Sequence, residues 1–438
     1  MAQSNASWDD CMQQAATSDI GMRRTSNQDS YAVWPASDLQ NWYERGHLFL
    51  VADGMGAHVG GELASKLAAD GIPHAYYSHR DKSPPDAILS AITETNAQIN
   101  QRGEASIDYH NMGTTGSVLL LLPQGAVIAH VGDSRVYRLR RDQLEQLTFD
   151  HSLVWEMRAT GRFPKDVEMA SMVPKNVITR SLGPNAHVQV DLEGPLPIES
   201  GDTFLLCTDG LTGKVEDEEL GALLASLDPE EAVQVLVDLA NLRGGPDNIT
   251  AIVVKVTGHQ MTTQVADRVS PLAFEPGRRK TFHASLWVLP GLCFLASALM
   301  FALQEYFQGA LAAGGAILAV LFVLILNWGG TSNGHGRTLQ TRGQLGKGPY
   351  TSLKCPPSAT FATRMEGMAK DLKEAAVEAN YSLDLAEFEK FFHLGRESAA
   401  TKDFADSIRQ YTRGISHVMQ QLRQRGSQSN DDVTVDPF

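Results

Sequence analysis

Leu48-Phe49-Leu50-Val51-Ala52-Asp53-Gly54-Met55-Gly56-Ala57-His58-Val59-Gly60-Gly61 reads as a buried strand that stops at an aspartate, followed by a glycine-rich loop. Glu62–Ala69 then has helix-forming composition. A strand end fixes a carboxylate, and glycines let backbone carbonyls and a ligand approach, which is how a protein holds a metal ion. One Asp-Gly after a strand is most simply a turn. The device recurs, however. Ala126–Val131 runs into Gly132-Asp133-Ser134-Arg135, Thr203–Cys207 runs into Thr208-Asp209-Gly210, and Asp247-Asn248 sits directly before the β-branched run Ile249–Val254. Several chain-distant strand ends, each presenting an aspartate, point to a shared site.

The chain has 438 residues, and a prior of about 150 per domain suggests two or three domains. Its net charge of −14 argues against nucleic-acid binding as its main task. Four widely spaced cysteines give neither metal-ligand spacing nor a disulfide framework, and fit a reducing compartment. The first 18 residues lack the basic start and apolar core of a signal peptide.

In chain order, Asp19–Tyr31 is loop-like and contains Arg23-Arg24 a few residues before Asp29. The pair reads either as a surface ion pair or as a guanidinium clamp for phosphate beside a further metal-site acid. Pro85–Arg102 reads as a helix with Ile88, Ile92 and Ile99 inward, Leu153–Asn176 as an irregular flap, and Asp217–Leu224 and Glu230–Leu242 as helices. A globular unit closes near Thr257, and residues 258–283 read as a linker.

Two uncharged apolar stretches follow, about residues 284–303 and 309–328, each long enough to cross a hydrocarbon core as a helix. Pro290-Gly291 is tolerated in a membrane helix, and Gly309 with Ala313 offers a close-packing surface. Arg278, Arg279 and Lys280 before the first stretch, and Arg337, Arg342 and Lys347 after the second, place both flanking regions on the cytoplasmic side of the cell membrane. The expectation is a transmembrane hairpin over 284–328. Residues 329–358 read as a flexible tether, 359–426 as helical and 427–438 as a disordered tail. Phe391, Leu394-Gly395, Ile408, Tyr411 and Gly414-Ile415 fit either one tetratricopeptide-like repeat or a plain helical hairpin.

Asp19-x-Gly21-x-x-Arg24-x-x-Asn27-x-Asp29, Val51–Gly56, Met112-Gly113-Thr114-Thr115, Gly132–Arg135, Thr208-Asp209-Gly210 and Asp247-Asn248 together resemble, in order and spacing, the metal-dependent type 2C (PPM) Ser/Thr protein phosphatases in their bacterial form. The resemblance covers about residues 15–257. It implies an α+β fold, a four-layer αββα sandwich of two antiparallel sheets flanked by helices, with two Mn²⁺ or Mg²⁺ ions at one end. The transmembrane hairpin and the small helical C-terminal region would follow this sandwich. By resemblance Asp53 bridges the ions, the Gly54 carbonyl binds one, Asp209 and Asp247 complete the other, and Asp29 contributes directly or through water. Asp133, with Asp209, matches a weaker third metal position. Arg24 matches the phosphate-binding arginine and His58 a proton donor to the leaving alcohol. Gln28 stands where some members carry glutamate, and Ala57 where a glycine is usual.

The implied chemistry is in-line attack on phosphoserine or phosphothreonine by a hydroxide between two hard cations. Implied partners are Ser/Thr phosphoproteins, bacterial Ser/Thr kinases among them, with the C-terminal helices recruiting or regulating a protein. The competing readings are a non-catalytic phosphoprotein-binding scaffold on the same fold and a hydrolase of small phosphate esters. Retention of Arg24, Asp29, Asp53, Asp209 and Asp247 tells against the scaffold.

Overall fold

A computed structural model describes residues 8, 10–56, 59–164, 172–174, 177–264, 272–274, 288–304, 306–308, 310, 313–315, 317, 337–339, 345–378 and 383–431. Its strands are β1 (Met12–Asp19), β2 (Asp29–Trp34), β3 (His47–Met55), β4 (Gly113–Thr114), β5 (Gly116–Leu122), β6 (Gly125–Val131), β7 (Arg135–Arg140), β8 (Gln143–Gln146), β9 (Asp191–Leu196), β10 (Thr203–Cys207), β11 (Ile249–Val256), β12 (Leu272–Phe274), β13 (Arg337–Leu339) and β14 (Thr351–Lys354). One sheet runs β1-β11-β10-β7-β8-β14; the other runs β2-β3-β5-β6-β9, with β4 added beside β3. Every register recorded in the two sheets is antiparallel.

The apolar run of β3 serves two cores at once. Phe49 and Val51 face the space between the sheets, where Leu119, Leu121 and Ile128 of the same sheet meet Val136, Phe204, Leu206, Ile252 and Val254 of the other. Leu48, Leu50 and Ala52, on the opposite face by the two-residue period, are also fully buried. On that side lie the helices α2 (Gly60–Ser78) and α3 (Pro84–Ala105), packed on each other, with α2 against β2 and β3. Burial on both faces explains a continuous apolar run rather than an alternating one. Ser83 caps α3 and two prolines open it, as helix starts favour.

The other sheet carries Tyr137, Leu139, Leu205, Cys207, Ala251 and Val253 on its outer face. Asp217–Ser226 and Pro229–Leu242 cover them, and so do residues of the C-terminal region. Helices Ala359–Glu378, Ala386–Ala400 and Phe404–Asp431 bury Phe361, Met365, Phe388, Ile408, Tyr411, Ile415 and Val418 in that same core. Residues up to 272 and from 339 onward form one compact unit.

Several expected boundaries change. Trp8, Cys11 and Met12 lie in the inter-sheet core, ahead of the expected start at 15. Met261 is buried and Thr263 N–H donates to the Ile198 carbonyl, so the sandwich extends past 257 into the expected linker. Within the expected tether 329–358, β14 pairs with β8, Thr351 opposite Gln146 and Lys354 opposite Gln143. Cys355 then seats against Gly221, where an added Cβ would lie 2.4 Å from Cys355 Cβ. Within the region expected to be helical, 359–426, Ala386–Ala400 and Phe404–Asp431 are joined by a turn in which Lys402 takes φ +65° and the Asp403 carboxylate caps the Asp406 N–H at 3.0 Å. The last helix runs to Asp431, into the expected tail, and 432–438 lie outside the described residues.

Residues 273–338 form a second unit. In its first expected span, 284–303, the described residues form a helix of 15 residues, Val288–Ala302. At a rise of about 1.5 Å per residue this is short of a bilayer's apolar thickness. Among the described residues no helix is long and apolar enough to cross a membrane. Most of the second expected span, 309–328, lies outside the described residues.

Candidate metal centre

The register of β2 and β3 sets Asp29 opposite Asp53. The peptide units around Asp53 are locked from both sides. Its N–H donates to Thr115 Oγ1 at 2.8 Å, and its carbonyl accepts from Thr114 Oγ1 and Thr115 N–H, both at 2.9 Å. The Gly113-Thr114-Thr115 run therefore fixes where the strand delivers its acid. Gly54 continues the ladder, its N–H donating to the Gln28 carbonyl at 3.1 Å.

Asp29 is oriented by two threonines. Thr208 Oγ1 and Thr250 Oγ1 donate to Asp29 Oδ2 at 2.8 and 2.7 Å, while the buried Oδ1 has no protein partner. Asp133, in the turn after β6, likewise keeps a buried Oδ1 without a partner. Asp209 opens the turn of helix Asp209–Thr212 just after β10, and its charge acts on Asp53. Asp247 is pinned by Arg24, whose Nη2 donates to Oδ2 at 2.8 Å and lies 2.8 Å from Oδ1 in an ion pair, the arginine being 46 % exposed. Asn248 ties the two loops together: its Oδ1 accepts from Gln28 N–H, and its Nδ2 donates to the Ile20 and Ser26 carbonyls. Gly21 has φ +80°, and an added Cβ would fall 2.1 Å from the Asp247 carbonyl oxygen, so only glycine lets the Arg24 loop lie so close.

The electrostatics record the convergence. Burial, then Asp29, Asp209, Asp133 and Asp247, push the Asp53 carboxyl well above the usual range. Burial raises Asp29 to about 7, with Asp209 and Asp247 adding to the rise against the two threonine hydrogen bonds. Burial, then Asp209 and Asp150, raise Asp133 to about 8. Asp209 is raised by burial and then by Asp247. Buried like charges without a counter-ion cannot all ionise.

Of the expected site residues, Asp29, Asp53, Asp133, Asp209 and Asp247 are thus electrostatically joined, and Gly54 and Arg24 adjoin them. His58 lies outside the described residues. Among the described residues no three His, Cys, Asp or Glu side chains close around a single point as a ready-made ligand set. The donor chemistry nevertheless suits hard divalent cations. It offers oxygen only, two orphaned buried carboxylate oxygens, and carboxyls that burial and mutual repulsion hold protonated. Thr208, Thr250 and Thr115 were not legible as site residues. The available signal was a hydroxyl residue directly before Asp209 and a second inside the apolar run after Asn248.

A cavity of about 380 Å³ opens beside this cluster, lined by Asp133 and Asp209 together with Trp155, Arg158 and Phe163. A larger cleft of about 630 Å³ lies between helix Pro229–Leu242 and the C-terminal helices, and shares no residue with the acids.

The family model described as "Protein phosphatase 2C" matches residues 22–241. The "Serine/threonine phosphatase stp" of Listeria innocua is 36 % identical over 242 residues, 54 % of this chain and 93 % of the relative. The "Protein phosphatase PhpP" of Streptococcus pneumoniae is 33 % identical over 251 residues, 56 % of this chain and 98 % of the relative. Among solved structures, the Mycobacterium tuberculosis serine/threonine phosphatase PstP/Ppp matches at 32 % identity and a TM-score of 0.49, covering 57 % of this chain and 100 % of that one. A catalytic domain of PstP in complex with two manganese ions matches at 31 % identity and a TM-score of 0.47, covering 57 % and 99 %.

Proposed function

The chain belongs to the protein phosphatase 2C family and is a protein Ser/Thr phosphatase; we propose that it hydrolyses phosphoserine and phosphothreonine in proteins with two Mn²⁺ or Mg²⁺ ions held at the acid cluster. The observation that carries this reading is the convergence of Asp29, Asp53, Asp133, Asp209 and Asp247, each from a different strand end. Asp53, Asp29, Asp209, Asp247 and the Gly54 carbonyl would hold the ions, with Asp133 and Asp209 available to a third. Ions bound there would supply charge neutralisation and a water activated near neutral pH.

The protein's own groups do the rest. Thr208 and Thr250 fix one oxygen of Asp29 and leave the other free to bind. Arg24, half exposed on the rim, presents guanidinium donors that match a phosphoryl group's oxygens while its contact with Asp247 keeps it at the centre. Bacterial Ser/Thr kinases belong to the proposed substrate class.

The test is Mn²⁺-dependent release of phosphate from a phosphothreonine peptide by the full chain. Asp209→Asn should lower turnover by on the order of 10²-fold or more. Activity that survives Asp209→Asn undiminished would sink the metal assignment.

Attachment to the cytoplasmic face of the cell membrane through residues 284–328 belongs to the same proposal. Its support is the apolar helix Val288–Ala302 and the exposure of Leu292, Phe294, Leu295, Leu299 and Phe307. The expected result is that the full chain sediments with membranes and enters solution with detergent. Complete release by high salt alone would contradict attachment by apolar insertion.

A further inference from the structure

The family match ends at residue 241, yet a residue more than a hundred positions later stands behind the wall of the cavity beside the acids. Tyr350 follows the cis Gly348-Pro349 bond and immediately precedes β14. Two hydrogen bonds seat it. Its N–H donates to the Gln146 carbonyl at 2.8 Å, and its hydroxyl donates to Glu193 Oε1 at 2.5 Å. Glu193 Oε2 takes the Gly348 N–H at 2.9 Å, so this buried carboxylate is satisfied by the C-terminal segment alone on both oxygens.

The ring of Tyr350 meets Phe149 edge to face at 5.4 Å, and Phe149 meets Trp155 edge to face, also at 5.4 Å. Trp155 is on the helix Leu153–Ala159 that begins the flap, and it lines the same cavity as Asp133 and Asp209. A second set of contacts holds the same wall. Arg135 lies over the Trp155 ring at 5.7 Å and pairs with Asp150, which accepts from Gln146 Nε2 at 2.9 Å. Gln146 is the residue whose carbonyl holds Tyr350. Tyr350 is therefore coupled to the wall through an aromatic stack and through the backbone of β8.

We propose that Tyr350 is a positioning residue for protein substrate: from behind, through Phe149, it sets Trp155 at the wall where the residues flanking the phosphoamino acid must pass. This rests on the protein phosphatase reading and adds to it a role for the C-terminal region. A small phosphate ester reaches only the acids and Arg24. A phosphopeptide must also lay its chain along the cavity, whose about 380 Å³ suits one or two side chains. The stack acts on the second requirement and not on the first.

The experiment compares the full-length wild type with Tyr350→Ala and Tyr350→Phe on a phosphothreonine peptide and on p-nitrophenyl phosphate, with Mn²⁺. Tyr350→Ala should raise the peptide KM roughly two- to tenfold, the range an aromatic pair supports. Its peptide kcat, and both constants for p-nitrophenyl phosphate, should stay within about twofold of wild type. Tyr350→Phe keeps the ring against Phe149 and loses only the bond to Glu193, so its peptide KM should stay near wild type. Adding Tyr350→Ala to Trp155→Ala should raise the peptide KM no further than Trp155→Ala alone. Equal losses on both substrates, no change on either, or a Tyr350→Phe variant as impaired as Tyr350→Ala would overturn the proposal. Failure of the phosphatase reading shows separately, as a wild type inactive on both substrates.

Discussion

Replacing Asp53 by Asn is expected to abolish metal-dependent hydrolysis and, at the same time, to raise the melting temperature of the metal-free protein. The two effects have one cause. Asp53 lies partly buried among Asp29, Asp209, Asp133 and Asp247, and each of these raises its pKa after desolvation itself. Without a cation, folding must either crowd ionised carboxylates together or hold Asp53 protonated far above its ordinary pKa, and an amide of equal size removes that cost. Relief of about 1 kcal/mol would raise the midpoint by about 2–4 °C. With metal the same change deletes a ligand, so binding and turnover should fall by on the order of 10²-fold or more.

The pH dependence follows from the direction of the shifts. Asp29 and Asp133 move from the ordinary 3.8 to about 7 and about 8 in the folded chain. Between the ordinary and raised values the folded protein holds more protons than the unfolded one, so stability of the metal-free form must fall as pH rises through that window. Ions compete with those protons, so stabilisation by Mn²⁺ should grow from pH 5 to pH 8. Thermal melts across that range, with and without Mn²⁺, check both slopes, and Asp53→Asn should flatten each. A metal-free protein that gains stability toward pH 8, or an Asp53→Asn variant that keeps the full Mn²⁺ shift, would refute the picture of a preassembled anionic cluster.

What could be read from the chain and what could not divide along physical lines. Apolar runs that end in aspartate, such as Leu48–Asp53 and Thr203–Asp209, are legible because both faces of the strand are buried and polar residues are expelled to its ends. That these ends meet was inferable from their number and from the family resemblance, not from any one of them. The supporting hydroxyls were hidden because a threonine inside a β-branched run, such as Thr250 in β11, looks like ordinary strand composition. Strand β14 was hidden for another reason. Thr351-Ser352-Leu353-Lys354 is four residues with alternate exposure at a sheet edge, set in Gly- and Pro-rich surroundings, and its local pattern is too short to register. The turn at Lys402 is implied by the helical-hairpin reading but not located by it, because Thr401-Lys402-Asp403 carries neither glycine nor proline to mark the place.

The placement of the C-terminal helices changes what a truncation would mean, and Ile415→Ala measures it. Ile415 is fully buried in a core shared with Leu223, Leu236 and Val253 of the catalytic sandwich. Charge pairs cross the same boundary: Arg364 meets the buried Glu219 at 3.2 Å, Arg413 meets Glu231, and Arg423 reaches the fully buried Asp238 at 2.5 Å. Removing three carbons from a filled core site costs about 2–5 kcal/mol. If one core is shared, that loss falls on the whole unit, and the melt should stay a single transition displaced by on the order of 5–10 °C, with activity lost along it. Gly221→Ala provides an independent probe, since the added methyl would press on Cys355 where the chain leaves β14. It should lower the same transition without touching Ile415. A tethered, independent module predicts the opposite: two transitions, with the one that carries phosphatase activity unmoved by Ile415→Ala. A chain cut near residue 260 would, on the shared-core arrangement, leave Leu220, Leu223, Leu227 and Val235 without their apolar cover. Low activity of such a fragment would then report lost packing rather than lost chemistry, and the full chain is the proper form in which to assay the site.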